Sequence, residues 1–200
     1  MDALVPADAF GIIEAAETFD TEVAVLLMCL LYIGARIGAG LDMQREDVRA
    51  DELAAWMRHQ KGQPSADVRL REDVCDRLVE HLESHDRRRV FRFHYGGHLK
   101  YQLVRAKLTY LGIPHPVRRP VPWREPEHRL KWVTFHTFRH TWASWMRRYA
   151  KATLDDLVDS GNWKDRRSAA RYVHAAPDDD VWSGVDRFPS MGNRRGVKAR

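Results

Sequence analysis

An uninterrupted apolar run, VAVLLMCLLYI from Val23 to Ile33, sets the first constraint on this chain. Its 11 residues fall far short of the ~20 that a membrane-spanning helix needs, so the rest of the chain must shield them from water. The run is read as a buried core helix, beginning near Thr21 and stopped by Gly34, which takes the left-handed conformation of a helix terminus without strain. With 200 residues, one domain wrapped around this core is the expectation.

Helical spacing also marks Ala7 to Phe19, Glu72 to Ser84 and Leu99 to Leu111, with a short turn at Ile37 to Leu41. Between them, short segments around Val48, Leu53 to Gln60 and Ala66 to Leu70 predict a small three-stranded antiparallel sheet with Lys61 at a hairpin tip. Pro114, Pro116, Pro120, Pro122 and Pro126 forbid regular structure across a long connection, which is either functional or flexible. From Thr134 to Tyr149 the residues Phe135, Phe138, Trp142, Trp145, Met146 and Tyr149 form a stripe of helical period. Shorter helices are expected at Leu154 to Asp159 and Arg166 to Ala175, ahead of a polar tail whose basic end, Asn193 to Arg200, reads as disordered. No internal repeat or low-complexity tract is present.

Lys and Arg number 33 against 28 acidic residues, with a pI near 9.4. That excess suits a polyanionic partner, although many proteins with no such partner share it. The chain opens without a charged-then-apolar signal sequence, and Cys29 and Cys75 do not form a disulfide framework. A soluble protein in a reducing, cytoplasmic setting, with no membrane association, is expected.

The stretch TFHTFRHTWASWMR holds His136 and His140 four residues apart, the helical spacing of a zinc site. A zinc hydrolase helix of that kind carries Glu where Thr137 stands, and no third ligand occurs at a recognisable interval. His136 and Arg139 lie about 60° apart on the helical wheel, beside the apolar stripe, and so are placed to act together. Taken alone, His136 also fits a core histidine hydrogen-bonded to backbone.

The wider pattern resembles the tyrosine recombinase (phage integrase) family. Its first catalytic arginine, in a motif like TGxRxxE, is matched by Arg36 in LLYIGARIGAGLDM; its HxxR motif is matched by His136 and Arg139 in FHTFRHTWASW. Its His/Trp position is matched by Trp163, and its nucleophilic tyrosine, nine residues on, by Tyr172 in RYVH. Lys61, in HQKGQP, falls where the family carries its catalytic lysine. The likeness covers roughly residues 20 to 177, and the order and spacing of four motifs make it specific. It departs at Ala39, where an acidic residue is usual, and at Gly161-Asn162-Trp163, which replaces Leu-Gly-His.

The resemblance implies a mainly helical α+β catalytic domain over residues 1–177 with a small antiparallel sheet. It implies a tail over 178–200 that packs on a neighbouring subunit, or folds back on its own domain, through Val181, Trp182, Val185 and Phe188. The DNA-embracing domain that usually precedes the catalytic one is expected to be absent. Arg36 and Arg139 are expected to grip the phosphate, His136 and Trp163 to complete the cradle, Lys61 to protonate the leaving oxygen, and Tyr172 to attack. The cationic cradle should favour the phenolate, since a free phenol has a pKa near 10. The expected partner is double-stranded DNA, bound as a tetramer by a chain that is otherwise monomeric, with no cofactor and no metal. A type IB topoisomerase and a catalytically impaired DNA-binding relative are the alternatives, the second prompted by Ala39.

Overall fold

The apolar run forms α2, Thr21–Ile33, in a computed structural model that describes residues 3–58, 65–160, 162–175 and 188–189. Every residue from Val23 to Ile33 is buried. Asp20 caps the helix by accepting from the Val23 amide (3.4 Å), and Gly34 ends it at φ 72°. Helices α1, Pro6–Glu17, α4, Glu72–Glu83, and α6, Phe135–Arg148, pack against α2. Another, α5, Gly97–Tyr110, packs on α1. No helix among the described residues is long and apolar enough to cross a membrane.

After α2 come α3, Ile37–Asp42, a 3₁₀ turn at Arg45–Asp47, and three antiparallel strands. These are β1, Val48–Arg49, β2, Ala54–Met57, and β3, Ala66–Arg69, in spatial order β1-β2-β3. The register pairs Val48 with Ala55 and Ala55 with Val68. Alternation along β2 sends Ala55 and Met57 into the core and leaves Trp56 exposed. β2 begins at Ala54 and not at Leu53, whose backbone turns at φ 49°, and the expected end of that strand at Gln60 lies outside the described residues. Lys61 lies outside the described residues.

The proline-rich connection is pinned at intervals. Tyr101 donates to the Pro116 carbonyl (2.6 Å) and meets Trp123 edge-on (5.1 Å). Glu125 pairs with the buried Lys107 (2.8 Å), which also donates to the Val133 carbonyl (3.1 Å) and so anchors the chain just before α6. Beyond α6 lie α7, Leu154–Asp159, and α8, Arg166–Ala169. The single helix expected to Ala175 tightens at Ala170 into a 3₁₀ turn, Ala170–Ala175. Ala169 at the end of α8 and Tyr172 within the turn are both buried. Further on, Phe188 is buried against Tyr32 and Trp145, at ring-centroid distances of 6.0 and 5.7 Å, and Arg71 donates to its carbonyl (2.9 Å). At Phe188, therefore, the chain folds back on its own core; Val181, Trp182 and Val185 lie outside the described residues.

Gly34 couples the end of α2 to α6. A Cβ there would come within 2.4 Å of the buried Trp142 ring, and the positive φ strains any L side chain. Gly34→Ala is expected to cost about 2 kcal/mol or more from strain and displaced packing. A thermal midpoint equal to that of the parent protein would overturn this account.

Candidate active site

The first turn of α6 explains why Thr137 occupies the position where a zinc hydrolase would need Glu. Thr134 is the N-cap and forms a capping box with Thr137, whose hydroxyl accepts from the Thr134 amide (2.9 Å). The helix is buried on more than its apolar stripe, since Thr137, Arg139, His140 and Thr141 are all enclosed. His136 projects to solvent, while His140, one turn deeper, faces inward. Their rings meet edge-to-face at 4.3 Å.

Arg139 is only 3 % exposed. Its Nη1 donates to the Gly34 carbonyl (2.6 Å) and to Asn162 Oδ1 (2.9 Å), and its Nη2 donates to the Asn162 carbonyl. Asn162 Nδ2 in turn donates to the Ile33 carbonyl (3.0 Å). A buried guanidinium thereby ties the end of α2 to the segment before α8. Burial, followed by the nearby Arg36, pulls its pKa down to about 9, which leaves it cationic at neutral pH.

An aromatic layer covers this cation. The Trp163 ring lies 4.3 Å from the Arg139 guanidinium, stacks on Trp142 (5.6 Å, 7°) and meets Tyr172 edge-on (5.3 Å). Tyr172 is 5 % exposed, and its hydroxyl forms a hydrogen bond with His140 Nδ1. Arg171 and Arg139 pull the phenol pKa down as expected, but burial outweighs them and pushes it up to about 12. At rest Tyr172 is therefore a neutral phenol rather than the phenolate that its cationic neighbours suggest.

Arg36, at the start of α3, is half-buried and near enough to both Arg139 and His136 to depress their pKa values. For His136 desolvation is the largest cause, ahead of Arg139, Arg36 and Arg171. Ala39 is buried within α3 and offers Arg36 no carboxylate. Arg36, His136, Arg139, Trp163 and Tyr172 are thus brought together, whereas Lys61 lies among the residues not described. The sequence reading missed three members: His140, Asn162 and Arg171. His140 was visible as a same-face neighbour of His136; Asn162 and Arg171 carried no local signal. Among the described residues no group of three His, Cys, Asp or Glu side chains converges.

His140 also links stability to pH. Burial, followed by His136, Arg171 and Arg139, lowers its pKa from 6.5 to about 4. The unfolded chain takes up this proton near pH 6.5 while the folded chain does not, so the folded state loses stability as the pH falls from about 6.5 to 4. The loss reaches up to roughly 3 kcal/mol, at about 1.4 kcal/mol per pH unit. In His140→Gln the thermal midpoint should decline less steeply across that window; equal slopes would overturn the linkage.

The sequence pattern of the phage integrase family matches residues 4–178. The integrase of Salmonella phage P22 is 27 % identical over 159 residues, covering 74 % of this chain and 38 % of that protein. XerA recombinase superposes with a TM-score of 0.64 at 19 % identity, over 87 % of this chain and 58 % of that one. The catalytic domain of bacteriophage HP1 integrase superposes with a TM-score of 0.61 at 18 % identity, over 88 % and 89 % of the two chains. This chain thus spans less than two thirds of the P22 and XerA proteins. The two superpositions establish the fold, mainly helical with a small antiparallel sheet. With the family pattern running from ahead of α1 to beyond Tyr172, the chain belongs to the phage integrase family.

Proposed function

We propose that this chain cuts and rejoins double-stranded DNA at specific sites through a bond between Tyr172 and a 3′-phosphate, and so integrates or excises a mobile element. The observation that supports this reading is the convergence of Tyr172, Arg139 and Trp163, from separate parts of the chain, beside Arg36 and His136. A phosphoryl group in transfer gains negative charge on its non-bridging oxygens, and planar guanidiniums from Arg36 and Arg139 match those oxygens bidentately. His136, exposed at the rim, adds a further donor. The leaving 5′-oxygen takes a proton from Lys61. The phosphotyrosyl link conserves the ester energy, so rejoining uses neither ATP nor metal.

A cavity of about 560 Å³ opens beside this cluster, lined by Arg36, His136, Lys100, Lys131 and Tyr95 among others. Its cations suit neighbouring phosphates of the bound strand. Arg139 and Tyr172 are both buried at rest, so DNA must open a path to them past the exposed His136 and the half-buried Arg36 while Tyr172 stays against α6. On DNA the chain is proposed to act as a tetramer and otherwise as a monomer. The impaired-relative reading draws on Ala39 and on the engaged donors of Arg139.

The test uses a nicked suicide substrate carrying a paired attachment site. The short 5′-hydroxyl fragment diffuses away after attack, and a denaturation-resistant adduct should accumulate on the 3′ side of the break. Peptide mapping should place the DNA on Tyr172. Attachment to another residue, or a DNA-bound protein that forms no adduct, would overturn the reading.

A further inference from the structure

The geometry points to His140, rather than His136, as the group that takes the phenol proton when Tyr172 attacks. This inference rests on the function proposed above and adds a catalytic residue to it. His140 Nδ1 is in direct hydrogen-bond contact with the Tyr172 hydroxyl, the reacting oxygen. His136 touches His140 edge-to-face but projects to solvent, toward the side from which a phosphate arrives. Two histidines one helical turn apart therefore divide the work, the outer one facing the phosphate and the inner one the nucleophile.

The surroundings of His140 fit a neutral proton acceptor. The ring is buried, and its Nε2 is enclosed without a hydrogen-bond partner among the described residues. His136, Arg171 and Arg139 face it with positive or potentially positive charge, which disfavours the imidazolium at rest. Tyr172 keeps its proton in that state, because burial favours the neutral phenol. A phosphodiester entering the site adds a negative charge beside the ring and raises its basicity. Bond formation to phosphorus simultaneously makes the phenol oxygen more acidic, so transfer occurs during attack and not before it.

During attack the Tyr172 O–H bond breaks, its proton passes to His140 Nδ1, and the freed electron pair forms the O–P bond. The bond from phosphorus to the 5′-oxygen breaks, and that oxygen leaves with the shared pair and takes a proton from Lys61. Rejoining reverses both transfers, with His140 returning its proton to the phenol oxygen.

The experiment measures single-turnover adduct formation on the suicide substrate with the full chain. His140→Gln is the first variant. His140→Asn, whose amide occupies the place of Nδ1, serves if the first does not fold. Both should bind DNA like the parent protein and form the adduct at least about 100-fold more slowly. Incorporating a strongly fluorinated tyrosine at position 172, whose more acidic phenol depends less on a base, should restore most of the lost rate. A 5′-bridging phosphorothiolate, which relieves the need for an acid, should not restore it. Adduct formation by folded His140 variants at the parental rate or faster would overturn the role of His140 alone. An adduct that maps away from Tyr172 in the parent protein would overturn the function proposed above and this role together.

Discussion

Tyr172→Phe is expected to abolish the covalent adduct completely while leaving the protein folded and bound to DNA. The substitution removes one oxygen. The ring keeps its edge-on contact with Trp163 (5.3 Å) and its place in the core, so its packing is nearly unchanged. The loss is the hydrogen bond to His140, whose Nδ1 is left buried and unpaired, at a cost of about 1–3 kcal/mol. The thermal midpoint should fall modestly, and gel-shift affinity should hold, because phosphate contacts dominate it. An undiminished adduct in the Phe variant would rule out Tyr172 as nucleophile. An unchanged thermal midpoint would argue instead that the His140 contact contributes nothing at rest.

Arg139→Lys carries the second largest effect and acts on two quantities at once. Losing a preorganised donor aimed at developing charge costs about 100-fold or more in rate, and an ammonium cannot reproduce the planar fork. The adduct rate should fall accordingly even though the charge is kept. Stability should fall too, because the guanidinium satisfies the Gly34 carbonyl, the Asn162 carbonyl and Asn162 Oδ1 in a buried setting. A single ammonium on a different stem leaves at least one of these acceptors unpaired, at about 1–3 kcal/mol. Reduced stability with a parental adduct rate would make Arg139 a purely structural tie. Asn162→Asp checks the same tie from the other side: a carboxylate beside the guanidinium would offset its charge and should slow cleavage, and loss of the donation to the Ile33 carbonyl should lower the thermal midpoint.

Much of the architecture was legible because it depends on local repetition. An apolar run too short for a membrane has to be covered on all sides, and α2 is. The stripe from Phe135 to Tyr149 has one period, and α6 obeys it. Short alternating segments separated by turn residues indicated a three-stranded antiparallel sheet, though not where β2 begins, which the backbone angle at Leu53 sets. The 3₁₀ winding at Tyr172 was not legible, since it reflects how the segment docks on α6 and α8 rather than its own propensities.

The order of the motifs determined, from sequence alone, the family and the residue types gathered at one place. It also located Arg36, His136, Arg139, Trp163 and Tyr172 as a set. Only the tertiary structure decided how these groups stand toward each other. It turned His140 rather than His136 toward the phenol, surrounded Arg139 with acceptors from Gly34 and Asn162, and made burial outweigh cations at Tyr172. Desolvation is the reason: the cost of a charge depends on every atom packed around it, and those atoms come from segments that no local pattern connects.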